Sequence, residues 1–395
     1  MKNVVLFALV AACCLSLPGC NKKTEIIADT EWQLPEGQVA LRKITDPARM
    51  PDFSAACADR KRLDVAVANS IRYLQKESSR KFFPYGGPGH EVEITHAHAL
   101  ASLVAFQQLL EQNLPPAEMN RRIRAWFDVY ESVGYDGRGT VRFTAYYTPT
   151  FAASRVETPE FRYPIYRLPE GAQTTPEHGT VAMANVSRRQ IESRQLLRGW
   201  ELFYLADPFD AYVVQIQGSA RLKLTDGTTA DVGYAGCNGM NYQPIRDQLV
   251  ADGKLGKGQA NLKSMFDYFR ANPQDVQPYT WRNPRFVFHV ERSGPAVGSI
   301  NEPVTPMRTV ATDKKIFPRA CLAMVSATLP AAGPNNLLEE RPMSFFALDQ
   351  DSGGGIRKAG RCDIYMGDTP RAEALAGYTH HDGRLFYLFL KSSAQ

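Results

Sequence analysis

Four aspartates, Asp349, Asp351, Asp363 and Asp368, crowd around the triple glycine Gly353-Gly354-Gly355 near the C-terminus. A carboxyl group set in a confined, partly dry place keeps its proton to higher pH and can deliver it to a leaving oxygen. Glycines beside it permit positive φ and let a ligand approach the backbone. The apolar runs 345–348 and 385–390 read as buried strands, so 349–377 is expected to be a loop carried on a rigid sheet. The same residues also suit an ordinary turn capped by its aspartates, and the rest of the chain has to decide.

Three other stretches hold the aromatic, amide and glycine residues that bind sugars. Phe143-Thr144-Ala145-Tyr146-Tyr147-Thr148-Pro149 puts adjacent tyrosines on a strand, where one faces the core and the other a ligand. Tyrosine rings stack on the apolar faces of pyranoses. Gln215-Ile216-Gln217-Gly218-Ser219 reads as two amides on one face of a strand before a tight turn, offering donors and acceptors to hydroxyl and acetamido groups. Tyr234-Ala235-Gly236-Cys237-Asn238-Gly239 adds another tyrosine and amide. The substrate-binding candidates are therefore Tyr146, Tyr147, Thr148, Gln215, Gln217, Ser219, Tyr234, Asn238 and Gly354, although any of these could instead serve a core. His96 and His98 lack a third ligand of suitable spacing, so no metal and no cofactor is expected. His380-His381 reads as an exposed turn. No Gly-x-Ser-x-Gly, P-loop or strand-linked GxGxxG occurs, which leaves serine hydrolase, nucleotide and dinucleotide chemistry without support.

The elements that must position these residues fall into two kinds. Three amphipathic helices are expected first, with apolar faces at Leu63, Val67, Ile71 and Leu74, at Leu100, Leu103, Val104 and Leu110, and at Met119, Ile123, Phe127 and Tyr130. The glycine- and proline-rich stretch 82–90 joins the first two. From Thr140 the period becomes two, with strands expected at 141–149, 163–167, 211–217, 221–224 and 285–290, interrupted by helices at 244–250 and 262–269. No βαβ alternation suggests a parallel Rossmann sheet, so the chain should be mainly β with peripheral helices.

The N-terminus and composition bound the compartment. Lys2, an apolar run at 4–17 and Leu17-Pro18-Gly19-Cys20 form a lipoprotein signal peptide, residues 1–19, with lipidation at Cys20. Asn21 rather than Asp after it favours the periplasmic face of the outer membrane in a Gram-negative host. Residues 20–51 read as a tether. A net charge of +5 over 395 residues is too small and dispersed for nucleic acid and is compatible with an anionic polymer such as cell wall. Beyond Cys20 lie Cys57, Cys237, Cys321 and Cys362, without CxxC spacing; whether Cys321 and Cys362 pair is open.

These motifs, with Tyr163-Pro164-Ile165-Tyr166-Arg167, occur in the order and approximate spacing of the membrane-bound lytic murein transglycosylase A family, which the chain resembles from about 140 to 391. The aspartate segment resembles that family's three-aspartate domain, to which Asp313, Asp351 and Asp363 would correspond. The resemblance implies a double-psi β-barrel (52–149 plus 286–395), a second inserted β-barrel (150–285) and a groove between them for glycan strands. It also implies a monomer, with cell-wall synthases or amidases as proteins it could accompany. The family usually has Gly at Ala145 and Ala320, Ala at Gly355 and Lys at Cys237. Gly to Ala is harmless only where φ is negative. Loss of the lysine puts one substrate contact in doubt.

By the same resemblance, Asp363 is the acid–base residue of a peptidoglycan lytic exotransglycosylase, a carbon–oxygen lyase, and Asp351 supports it. The muramic acid C6 hydroxyl would attack C1, so no second catalytic carboxyl is needed. A hydrolytic glycosidase would need one, with Asp351, Asp368 and Asp382 as candidates. A lipid-anchored, non-catalytic peptidoglycan-binding protein is the reading from another class.

Overall fold

The computed structural model describes residues 34–87, 92–175, 178–333 and 337–392. The signal peptide, Cys20 and residues 20–33 of the expected tether lie outside the described residues. The chain opens with β1 (Leu41–Lys43), helices α1 (Ser54–Ala58) and α2 (Leu63–Gln75), the pair β2 (Tyr85–Gly86) and β3 (Glu93–Ile94), and helices α3 (His96–Glu111) and α4 (Pro116–Trp126). Then come β4 (Phe127–Ser132), β5 (Val141–Tyr146), β6 (Thr150–Ser154), β7 (Tyr163–Tyr166), β8 (Gln173–Thr175) and β9 (Gly179–Val181). Next are α5 (Arg188–Ser193), β10 (Glu201–Leu205), α6 (Pro208–Gln217), β11 (Ala220–Leu224), β12 (Thr229–Cys237), α7 (Ile245–Ala251), α8 (Leu262–Ala271) and α9 (Val276–Thr280). The last part holds β13 (Val287–Arg292), β14 (Thr309–Ala311), β15 (Leu322–Ala332), β16 (Leu338–Asp351), β17 (Arg361–Tyr365), α10 (Pro370–Tyr378) and β18 (His380–Leu390).

Strands β18, β15, β16, β14, β17 and β5 pair in that order, and β5 pairs back onto β18, closing a six-stranded barrel. The β14–β16 and β17–β5 pairs are parallel and the others antiparallel, the mixed wall expected of a double-psi barrel. Closure leaves no free edge among these strands. Helices α1 to α3 cover the wall: Phe53 and Phe106 pack on Phe346 with ring centroids 6.1 and 5.0 Å apart, and the buried Gln350 amide donates to Ala66 O and Ser70 Oγ.

The second sheet runs β7-β10-β6-β11-β12, with β13 on β12 and a bridge from His289 of β13 back to Arg167 beside β7. It curls into a second barrel. One face of α6, with Ala211 and Val214, packs into its core beside Phe203 and Leu222, while the other, with Phe209, Tyr212 and Val213, packs on α7, α8 and α9.

Several expectations are corrected. Residues 211–217, expected as a strand, lie in α6. The Asp207 side chain caps the first turn, Pro208 sits at its start, and Gly218 ends it at φ 77°. A helix buried on two sides shows no clean periodicity. The third N-terminal helix stops at Trp126, because Phe127 and Tyr130 belong to β4. The strand expected to return the chain to the first barrel at 286 is β13, which pairs with β12 in the second sheet. The tether shortens too, since Ala40, Leu41 and Ile44 are buried in the first barrel's core and β1 pairs with β4.

Candidate active site

The register of the first barrel builds one row of side chains. Across neighbouring strands His380 pairs with Thr144, Thr144 with Asp363, Asp363 with Ala311 and Ala311 with Asp351. Residues paired across strands share a face, and so do those two apart along a strand. Arg142 and Tyr146 on β5, with Arg361 and Tyr365 on β17, therefore share the face of Asp363. The opposite face, with Phe143, Cys362, Ile364 and Val310, is buried in the core. The stretch expected as one loop, 349–377, is instead the end of β16, a turn at 352–360, β17 and α10.

The two aspartates are equipped differently. Asp351 Oδ1 accepts from the backbone N–H groups of Ser299 and Ser352, both at 2.8 Å, and Oδ2 accepts from Tyr146 Oη at 2.6 Å. Burial raises its pKa, while these donors and Lys314 pull it back. Both oxygens are engaged, which suits an anchor. Asp363 Oδ1, by contrast, is buried with no hydrogen-bond partner among the described residues. Burial raises its pKa and repulsion from Asp351 adds to that; Thr144 and Arg361 act in the opposite sense. A carboxyl so placed favours its neutral form and has an oxygen uncommitted to the protein.

At the junction of the barrels, Tyr365 Oη lies 2.9 Å from Thr148 Oγ1, which lies 3.5 Å from Ser219 Oγ, and the rings of Tyr146 and Tyr365 are 5.1 Å apart. These hydroxyls and rings continue the face of Asp363. Of the adjacent tyrosines, Tyr147 is the buried one and Tyr146 turns to the aspartates. Gln217 Oε1 accepts from the Tyr147 backbone at 3.3 Å.

The helix α6 separates Gln215 from Gln217, so they do not form the expected same-face pair. Gln215 Oε1 is buried, accepting from Arg188 Nη2 at 2.9 Å and Val287 N at 3.2 Å. Asn238, 0% exposed, uses its amide on Val186 O, Pro284 O and Phe286 N. Both amides brace the second barrel rather than facing a ligand. Tyr234 is 39% exposed. A Cβ on Gly354 would meet Arg285 Nε at 2.9 Å and one on Gly355 would meet the Tyr242 ring at 3.0 Å, so the glycine turn admits side chains of the inserted region.

The remaining aspartates have other duties. Asp349 is buried, paired with Lys314 and bonded to Thr312 Oγ1 and Tyr387 Oη. Asp313 accepts from the backbone of Lys315 and Lys358, Asp368 pairs with Arg221, and Asp382 with Arg142. Cys57, Cys237, Cys321 and Cys362 are buried free thiols. Ala320 has φ 61°, so here alanine stands in a left-handed position, whereas Ala145 does not. His96 meets Ser79 Oγ at 2.8 Å and His98 meets Leu390 O at 2.6 Å, and His380-His381 opens β18 rather than forming a turn. Thr144, Arg361 and Tyr365 were missed from sequence, although period two from Tyr146 and Asp363 marks all three. Ser299, from a distant loop, left no signal.

A closed double-psi barrel with a buried acid that keeps one oxygen without a partner among the described residues, and with an inserted second barrel, defines a class of two-barrel proteins with a three-aspartate domain. Family models match accordingly: the "MltA specific insert domain" over residues 142–290 and the "3D domain" over 308–389. The membrane-bound lytic murein transglycosylase A of Escherichia coli K12 is 30% identical over 264 residues, 66% of this chain and 69% of that protein. The Vibrio cholerae protein of the same name is 29% identical over 263 residues, 66% and 68% of the two chains. Among solved structures, a membrane-bound lytic murein transglycosylase from Agrobacterium tumefaciens superposes with TM-score 0.72 at 21% identity, covering 90% of this chain and 99% of that one. Escherichia coli MltA with bound chitohexaose does so with TM-score 0.66 at 24% identity, over 91% and 96%. This chain belongs to the membrane-bound lytic murein transglycosylase A family.

Proposed function

We propose that the chain is a peptidoglycan lytic transglycosylase that cleaves the β-1,4 bond between N-acetylmuramic acid and N-acetylglucosamine with Asp363 as its one acid and base. The observation that carries this reading is the contrast between the uncommitted Oδ1 of Asp363 and the fully engaged carboxylate of Asp351. Asp363 protonates the glycosidic oxygen as the C1–O bond breaks and positive charge gathers on C1. The muramic acid C6 oxygen then bonds to C1, and its proton passes to the Asp363 carboxylate, leaving a 1,6-anhydro end and a restored acid. Water is not consumed. Asp351, tied down by three donors, holds Tyr146 and keeps the Asp363 proton in place by repulsion; it is no free base for a hydrolytic water.

Names of relatives that describe murein transglycosylases, and a family structure holding chitohexaose, support a glycan substrate. Exposed Tyr234 and half-buried Tyr146 and Ser219, backed by the buried pair Thr148 and Tyr365, are the groups offered to it. No helix of the described residues is long and apolar enough to cross a membrane. Attachment through a lipid on Cys20 to the periplasmic face of the outer membrane, and a part in cell-wall turnover, complete the proposal. Mass spectrometry of muropeptides released from purified sacculi tests it. Anhydro ends from the wild type and none from Asp363→Ala are expected. Reducing ends would replace the reading with hydrolysis, and sacculus binding without product would leave a binding protein.

A further inference from the structure

Arg361 stands on β17 two residues before Asp363, so its side chain shares that face about 7 Å further along the strand. Its Nη2 donates to Thr144 Oγ1 at 3.2 Å, and its Nε is buried without a partner among the described residues. It forms no ion pair among them. Its neighbour directly across on β5, Arg142, is clamped instead: Nε and Nη2 donate to the two oxygens of Asp382, which Tyr135 Oη also holds at 2.9 Å. His380 Nε2 lies 3.4 Å from Arg142 Nη1, and burial pushes its pKa down, helped by the charges of Arg142, Arg246 and Arg361.

Keeping Arg361 there has two costs. Like charges directly opposed on adjacent strands destabilise a sheet. A cation beside Asp363 also pulls its pKa down, against the need of an acid. The groups sharing the face of Asp363 are Arg361 and Tyr365 on its own strand, Arg142, Thr144 and Tyr146 from β5, and Asp351 from β16, with His380 of β18 one strand further along the row. The one carboxylate among them is saturated with donors. An anion for Arg361 therefore has to arrive with the substrate. The sugar rings of peptidoglycan are neutral; its carboxylates sit on the muramic acid side, as the free lactyl group or on the stem peptide attached to it.

We propose that Arg361 is a specificity residue that takes a carboxylate of the muramic acid side of the bound strand, by the planar fork that guanidinium presents to carboxylates. The inference rests on the peptidoglycan reading above. Docking of that carboxylate neutralises Arg361 and removes its pull on Asp363, so a strand bearing the anion favours the protonated acid that cleaves it. A neutral chitin strand does not.

The test is binding calorimetry on the full chain carrying Asp363→Asn to stop turnover, with and without Arg361→Gln or Arg361→Lys. Three probes are used: chitohexaose, which has no carboxylate; glycan strands stripped of peptides, which expose the lactyl carboxylate; and strands bearing stem peptides. Arg361→Gln is expected to weaken carboxylate-bearing strands about 10- to 100-fold and to leave chitohexaose unchanged. Arg361→Lys should recover part of the loss. A loss confined to stripped strands identifies the lactyl group, and one confined to stem-bearing strands identifies the peptide. Equal losses on all three probes, chitohexaose included, would make Arg361 a structural residue and overturn the proposal, as would no loss on any. If the chain that retains Arg361 binds none of the strands, the peptidoglycan reading itself fails.

Discussion

Replacing Asp363 by Asn keeps shape and hydrogen-bonding capacity while removing the transferable proton. Loss of a general acid lowers turnover by roughly two to four decades, or about 3 to 5 kcal/mol of barrier. The same change should stabilise the fold as pH rises. Burial and Asp351 raise the pKa of Asp363 above its unfolded value. The neutral carboxyl's advantage is therefore fully present below the unfolded pKa and lost as pH climbs through the folded one. Each unit of elevation takes about 1.36 kcal/mol from the wild type over that interval. Asparagine does not ionise and escapes the loss. Thermal unfolding of the two proteins should thus diverge from pH 4 to pH 8, with Asn the more stable at the higher pH, while release of anhydro-muropeptides from sacculi collapses in Asn at every pH. Turnover within tenfold of the wild type would refute the role of Asp363. A stability difference independent of pH would refute the raised pKa on which that role depends.

Tyr146→Phe removes one of the donors holding the Asp351 carboxylate, a charged hydrogen bond worth roughly 1.5 to 3 kcal/mol. Asp351 then protonates more readily and repels the Asp363 anion less, so the alkaline limb of the pH–rate profile should move to lower pH; an unmoved limb counts against the coupling. Lys314→Met strands Asp349 as an unpaired carboxylate in the core and should cost about 3 to 5 kcal/mol at pH 8 by denaturant unfolding. The penalty shrinks toward pH 5, because Asp349, already raised by burial, relieves it by taking up a proton. Ala320→Gly relieves a left-handed alanine but deletes a buried methyl, terms of about 1 kcal/mol each that nearly cancel. The same change at Ala323, buried in β15, should cost about 1.5 kcal/mol, and equal effects at both positions would contradict strain at Ala320.

What the sequence made legible was local or carried by an ordered set of motifs. Asp363 stands out as a candidate because a carboxyl beside glycines and between apolar runs is a recognisable arrangement and because five motifs stand in a family's order. The strand that carries it was less visible: in Arg361-Cys362-Asp363-Ile364-Tyr365 polar and apolar residues alternate, but the glycines at 353–355 and 360 make the whole segment look like one loop. At 208–217 the opposite holds. The capping signals Asp207-Pro208 and Gly218 were present, yet a helix packed on both sides has no polar face, and its apolar run imitates a buried strand. The amide pair of Gln215 and Gln217 goes with the strand reading alone, since period two is a property of strands. What no local pattern encodes is closure. Pairing of β5 with β18 sets His380 beside Thr144, and a loop 52 residues before Asp351 supplies the Ser299 N–H that its carboxyl accepts. Those long-range pairings decide which of two similar aspartates is anchored and which keeps an oxygen without a partner among the described residues.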